Sequence, residues 1–155
     1  PLPRAYETSE IISKKLGKPV EVWQEIEETR NPKEIFALST LSPKAKKIRK
    51  VIGDNYHKGD FRYSDEETFN ELNERAKRVL EHLLKHHRGQ KVLCVSHAGM
   101  IKMILARMIF GGGLTPQIYW DFKHHSWLKN TGITICDYSK EYGWVLETWN
   151  DTTHL

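Results

Sequence analysis

Cysteine is scarce in this sequence: its 155 residues hold two, Cys94 and Cys136. Each falls inside an apolar, strand-like run, and neither has a second cysteine at metal-ligand spacing. That excludes a disulfide-stapled scaffold and a thiolate zinc site, and predicts two buried free thiols in a reducing cytoplasm. Long apolar runs are missing too. No stretch approaches the roughly 20 residues that cross a bilayer, and none reads as a signal peptide, so a cytoplasmic protein is expected. There is no internal repeat, no low-complexity tract and no Pro/Gly/Ser-rich linker, which leaves a single domain, 1–155, long enough to bury a proper core. Charge of one sign is not in large excess. Twenty-four Lys and Arg against 20 Asp and Glu give a net +4, enough to help collect anionic substrates but not a nucleic-acid footprint.

What is present organises around Lys91 to Gly111, KVLCVSHAGMIKMILARMIFG. Val92, Leu93, Cys94 and Val95 form a short apolar, β-branched run that reads as a parallel strand buried on both faces. Ser96 and His97 end it, and Ala98-Gly99 lead into an apolar helix, Met100 to Phe110, closed by three glycines. His97 then sits at the carboxyl end of a strand and the amino end of a helix. In open α/β sheets that edge binds ligands, and the free N–H groups of a helix start favour an anion. A hydrogen-bonded structural histidine is the plainer alternative for His97.

The rest of the chain supplies helices and a hairpin. Arg4 to Leu16 carries an apolar stripe and ends at Gly17. Val20 to Trp23 reads as a short strand, and Asn31-Pro32-Lys33-Glu34 opens a short helix through Leu38. Ser42-Pro43 caps a helix to about Asn55 whose Lys44, Lys46, Lys47, Arg49 and Lys50 form a basic cluster, either a solvated face or a landing surface for an anionic substrate. Ser64-Asp65-Glu66-Glu67 has the form of a capping box for a helix carrying Phe69, Leu72, Ala76, Val79, Leu80 and Leu83. His82, His86 and His87 lie on that helix without a carboxylate at clean metal spacing, so a surface role is expected and no metal is assigned. Thr115-Pro116 caps a helix to about His125. Gly132–Tyr138 and Tyr142–Trp149 then pair as an antiparallel hairpin.

Two motifs together carry a family resemblance. Leu2-Pro3-Arg4-Ala5-Tyr6-Glu7-Thr8-Ser9-Glu10-Ile11-Ile12 resembles the second arginine motif of the histidine phosphatase superfamily, the phosphoglycerate-mutase-like fold. Val95-Ser96-His97-Ala98-Gly99 resembles its second histidine motif, in the matching order and separation. The resemblance implies a three-layer α/β/α sandwich, its sheet mostly parallel with a C-terminal antiparallel hairpin. It implies a cytoplasmic phosphomonoester phosphatase that works through a phosphohistidine without cofactor or metal. A phosphoglycerate-type mutase, or an inactive member that binds phospho-ligands or a partner, are the alternatives. The partner expected is a phosphorylated small molecule, with neither nucleic acid nor membrane.

Residue roles follow from the same resemblance. Arg4 matches a phosphate-clamping arginine, whose planar fork can hold two oxygens at once. His97 matches the histidine that holds the phosphoryl charge opposite the nucleophile, helped by the Ala98 N–H. The family places a proton-donating carboxyl after its V-x-V strand, which here selects Glu28, with Glu25 and Glu27 close enough to remain open. Glu67-Thr68 and Arg75 resemble a supporting E-S…R helix. The family's R-H-G strand, which carries the nucleophile, has no match: His87-Arg88-Gly89 scrambles the letters and precedes a strand instead of following one. The family's sheet order puts that strand between Val92–Val95 and Gly132–Tyr138, and puts another interior strand ahead of Leu2-Pro3-Arg4. The expectation is therefore an N-terminally truncated domain whose own residues lack the nucleophile.

Overall fold

A computed structural model describes residues 2–155. Five α-helices and one hairpin carry the architecture among them. Helix α1, Pro3–Leu16, enters through a proline in its first turn and ends at Gly17, whose φ of 61° takes the left-handed conformation of a C-cap. Helix α2, Pro43–Asn55, is capped as its sequence dictates, with the Ser42 hydroxyl accepting the Ala45 N–H. Helix α3, Phe69–His86, is the longest, and α4, Ala98–Phe110, and α5, Pro116–His125, follow. The Thr115 hydroxyl accepts the Ile118 N–H and starts α5. None of these helices is long and apolar enough to cross a membrane.

The core lies between α3, α4 and α5. Phe69, Leu72, Ala76 and Val79 of α3 interleave with Met100, Met103 and Ala106 of α4, and Leu114 and Tyr119 close the cluster. The i, i+3, i+4 and i+7 spacing of these residues is the stripe the sequence shows, so the same periodicity that predicts the helices also builds the core. A second small cluster, Ile35, Ala45 and Ile48, seats α2. The hairpin pairs β1, Ile133–Ser139, with β2, Gly143–Asp151, antiparallel, and its register is irregular between Ile133 and Cys136.

Several expectations need correction. The described residues form no parallel sheet and no three-layer sandwich: the two-stranded hairpin is their only sheet. Val92–Val95 and Val20–Trp23 run without regular secondary structure. A strand is defined by its ladder, and an apolar β-branched run has none until another strand lies beside it. The burial expected for the central run fails for the same reason, with Val92 45% and Leu93 61% exposed and Cys94 exposed as well, although both cysteines are free thiols. The capping box belongs to Thr68 and Glu71, not Ser64 and Glu67: Thr68 accepts the Glu71 N–H and the Glu71 carboxylate accepts the Thr68 N–H. The Ser64 hydroxyl donates instead to Glu34. The helix expected from Asn31 to Leu38 shrinks to one 3₁₀ turn, Lys33–Ile35.

Candidate active site

His97 is the N-cap residue of α4, extended at φ −118° and ψ 154°. Its side chain caps nothing, which leaves the ring to other work, while its carbonyl accepts the Ile101 N–H at 2.9 Å. The residue is only 7% exposed. Burial holds the imidazole pKa below its ordinary value; the Glu28 carboxylate opposes this, the Arg4 guanidinium reinforces it, and Glu27 opposes it more weakly. The ring at the helix start is therefore biased toward the neutral form. Ala98, the first residue of α4, stands beside it, where the N–H groups of a helix start have no intrahelical partner.

Arg4 reaches this place from the first turn of α1. Its guanidinium lies 3.7 Å from the Glu28 carboxylate, with the arginine side chain 64% and the glutamate side chain 27% exposed. Glu28 Oε1 also accepts the Thr29 N–H at 3.0 Å. The carboxyl lies against the second residue of α4: a Cβ built on Gly99 would come within 2.7 Å of both Glu28 Oε1 and Thr29 Oγ1. Glycine is thus required here by close approach, since a methyl group would push the carboxyl off the helix start.

Of the three glutamates left open by the sequence, the structure separates two clearly. Glu25 is occupied elsewhere, its two carboxylate oxygens accepting Arg78 Nε at 3.2 Å and Nη2 at 3.1 Å. Glu28 is the one that meets both Arg4 and α4. Glu27 presents its carbonyl to Arg75 at 2.9 Å. Arg4, Glu28, His97 and Ala98 are so brought to one end of α4, with two positive or hydrogen-bonding groups, one carboxyl and a helix start around one small region. Such a set can hold a dianion and exchange one proton with it.

The loop carrying Glu28 is pinned from both sides. Ser96, next to His97, donates its hydroxyl to the Ile26 carbonyl at 2.6 Å. Arg75 of α3 makes a two-point pair with Glu67, Nε–Oε1 2.7 Å and Nη2–Oε2 2.6 Å, and gives its remaining nitrogen to the carbonyls of Glu25 and Glu27. The sequence marks Glu67 and Arg75 but not Ser96, whose only signal there is a hydroxyl just before the histidine. Away from this region, His82 packs its ring 4.7 Å from Trp23, 4.6 Å from His86 and 5.6 Å from His87. No group of His, Cys, Asp or Glu among the described residues is arranged to hold a metal ion.

The model of the histidine phosphatase superfamily, branch 1, matches residues 1–152. The chain belongs to that superfamily. A metal-independent phosphoserine phosphatase of Arabidopsis thaliana is 25% identical over 89 residues, 57% of this chain and 32% of its own length. A probable phosphoglycerate mutase, GpmB, of Yersinia enterocolitica is 27% identical over 159 residues, 99% of this chain and 70% of its own. The GpmB relative of Serratia proteamaculans is 27% identical over 122 residues, 76% of this chain and 53% of its own. The match with the plant relative thus covers about a third of that protein's length. In this histidine phosphatase superfamily member the Arg4 guanidinium and the His97 imidazole share the Glu28 carboxylate as an electrostatic neighbour.

Proposed function

We propose that this chain forms the single α/β domain of a phosphomonoester phosphatase that works through a phosphohistidine. Arg4 and the Ala98 N–H bind the phosphoryl oxygens, His97 stabilises the charge of the transferring group, and Glu28 is the acid. The nucleophilic histidine comes from an R-H-G strand that lies beside Val92–Val95 and is not among these 155 residues. That strand, together with a second interior strand ahead of Leu2, belongs to a mostly parallel sheet within a three-layer sandwich. The reading is carried by one observation: Arg4 and Glu28 form an ion pair, and both act electrostatically on the buried His97 at the start of α4. The exposed apolar side chains of Val92 and Leu93 support the position of the strand, because a buried parallel strand needs partners on both sides.

The steps balance without a cofactor. The nucleophilic imidazole nitrogen forms a P–N bond as the P–O bond to the substrate alcohol breaks, and Glu28 gives its proton to the leaving oxygen. Water then attacks phosphorus and passes a proton to the Glu28 carboxylate, the P–N bond breaks, and inorganic phosphate leaves. If a second hydroxyl takes the place of water, the same residues perform a mutase reaction. That reading is favoured by the bacterial relatives called phosphoglycerate mutases, one of which aligns along 99% of this chain.

The test is His97→Ala in the protein that carries the nucleophile strand. Loss of a group aimed at transition-state charge is expected to lower kcat on the order of a hundredfold or more with the fold intact by circular dichroism. Near-normal turnover would assign His97 to structure alone. Comparing release of inorganic phosphate with transfer to an added phosphoglycerate separates phosphatase from mutase.

A further inference from the structure

We propose that the Arg75–Glu67 pair is a positioning device for the acid, a two-sided clamp on the Glu25–Arg30 loop that fixes where the Glu28 carboxyl lies against α4. The inference rests on the reading of Glu28 as the proton donor. Glu28 and Thr29 are the only residues between the two grips. Upstream, Arg75 Nη1 donates to the Glu25 carbonyl at 3.2 Å and the Glu27 carbonyl at 2.9 Å. Downstream, the Glu67 N–H donates to the Arg30 carbonyl at 3.1 Å, and Glu67 Oε2 accepts the Arg30 N–H at 3.5 Å. The two grips are locked together by the Arg75–Glu67 fork itself, its side chains only 12% and 13% exposed.

The geometry argues for positioning over simple stability. An ion pair that only fastened α3 to the loop would need one contact, yet every nitrogen of the Arg75 guanidinium is used, and the carbonyls it reaches, of Glu25 and Glu27, lie within the three residues before Glu28. A lysine could not do this, since its point charge lacks the planar fork. The tolerance is also small. Glu28 Oε1 lies 2.7 Å from where a Gly99 Cβ would be, and Ser96 ties the Ile26 carbonyl to the residue beside His97. A loop released from α3 can move Glu28 by an ångström or more, and displacements of that size are enough to weaken proton transfer.

The test uses the neutral double variant Glu67→Gln/Arg75→Gln, which removes one positive and one negative charge together. The equally neutral Lys50→Gln/Asp54→Asn pair, an exposed ion pair on α2, is the control. In the 155-residue chain, the His97 midpoint is followed by NMR through its ring protons. Glu28 holds that midpoint up, so Glu28→Gln lowers it. The clamp variant is expected to lower it most of the way to the Glu28→Gln value, with the control unmoved and Arg75→Lys in between. An unchanged midpoint in a folded clamp variant overturns the clamp. Kinetics in the protein carrying the nucleophile strand then judge the acid separately. Glu28→Gln and the clamp variant should both lose on the order of a hundredfold in kcat on an alkyl phosphate, whose leaving oxygen needs a proton, and far less on p-nitrophenyl phosphate, with KM little changed. Equal losses on both substrates for Glu28→Gln overturn the acid and leave the midpoint to decide the clamp. Equal losses for the clamp variant alone, with Glu28→Gln selective, overturn the clamp.

Discussion

Replacing Gly99 with alanine should leave a folded protein with a misplaced acid. The added methyl would lie 2.7 Å from Glu28 Oε1, 2.7 Å from Thr29 Oγ1 and 2.9 Å from Thr29 Cγ2, closer than real Cβ contacts come. Glu28 can retreat by turning its flexible end. Thr29 cannot, being short and stiff at χ1, so the loop backbone must shift as well. Alanine in a helix gains roughly 0.5–1 kcal/mol over glycine, whereas overpacking costs typically about 1–3 kcal/mol. The difference is a net loss of about 0–2.5 kcal/mol. For a chain of this size that corresponds to a fall in Tm of at most about 10 °C, at roughly 2–4 °C per kcal/mol. Function should suffer far more, because a positioned acid contributes about 10²–10⁴-fold. Thermal unfolding gives the first number. Turnover of an alkyl phosphate and of p-nitrophenyl phosphate, in the protein that carries the nucleophile strand, gives the second. Alkyl phosphate turnover within about threefold of the parent would refute the reasoning, since a general acid pushed off its place cannot keep most of its about 10²–10⁴-fold effect. A collapse of Tm with equal loss on both substrates would show instead that the loop cannot yield.

Two further outcomes are expected. Pro1–Leu155 alone should not turn over p-nitrophenyl phosphate, because of its eight histidines only His97 stands at a helix start in the site, and its expected role is partner to the nucleophile; turnover that depends on His97 would refute this. His97 in the free chain should titrate below its ordinary 6.5, because burial outweighs the carboxylates beside it. Since its folded value is depressed, the unfolded chain binds that proton more readily: His97 costs no stability above about pH 6.5, and the protein loses stability as the pH falls below that value, the penalty being complete below the folded midpoint. Inorganic phosphate should move the NMR midpoint upward, since an anion beside the ring favours imidazolium; a midpoint indifferent to saturating phosphate would remove His97 from the anion site.

The helices are legible in the sequence because each carries its own signals. Gly17 ends α1, Ser42-Pro43 and Thr115-Pro116 start α2 and α5, and the stripe from Phe69 to Val79 builds the core directly. The start of α3 is ambiguous because Ser64 and Thr68 are both followed three residues later by glutamate. Which box closes depends on what else those glutamates meet, and Glu67 is claimed by Arg75, eight residues on. The strands are legible as β-prone runs but not as strands, since Val92–Val95 can be one only beside a partner that its own residues do not supply.

The choice among Glu25, Glu27 and Glu28 shows why the site is only partly legible. Their spacing is all the sequence offers, and three carboxylates within four residues differ little by that measure. What separates Glu25 from Glu28 is distant in the chain: Arg78 takes the Glu25 carboxylate from α3, while Arg4 of α1 and Gly99 of α4 define the place that Glu28 fills. An exposed ion pair such as Arg4–Glu28 contributes about 0–1 kcal/mol, too little to hold the carboxyl where it lies. The loop's backbone bonds to Arg75, Glu67 and Ser96 must do so. A site residue selected by tertiary contacts made through its neighbours' carbonyls leaves no pattern in its own identity, so the residues that place Glu28 have to be sought far along the chain, at Glu67, Arg75 and Ser96, and not beside it.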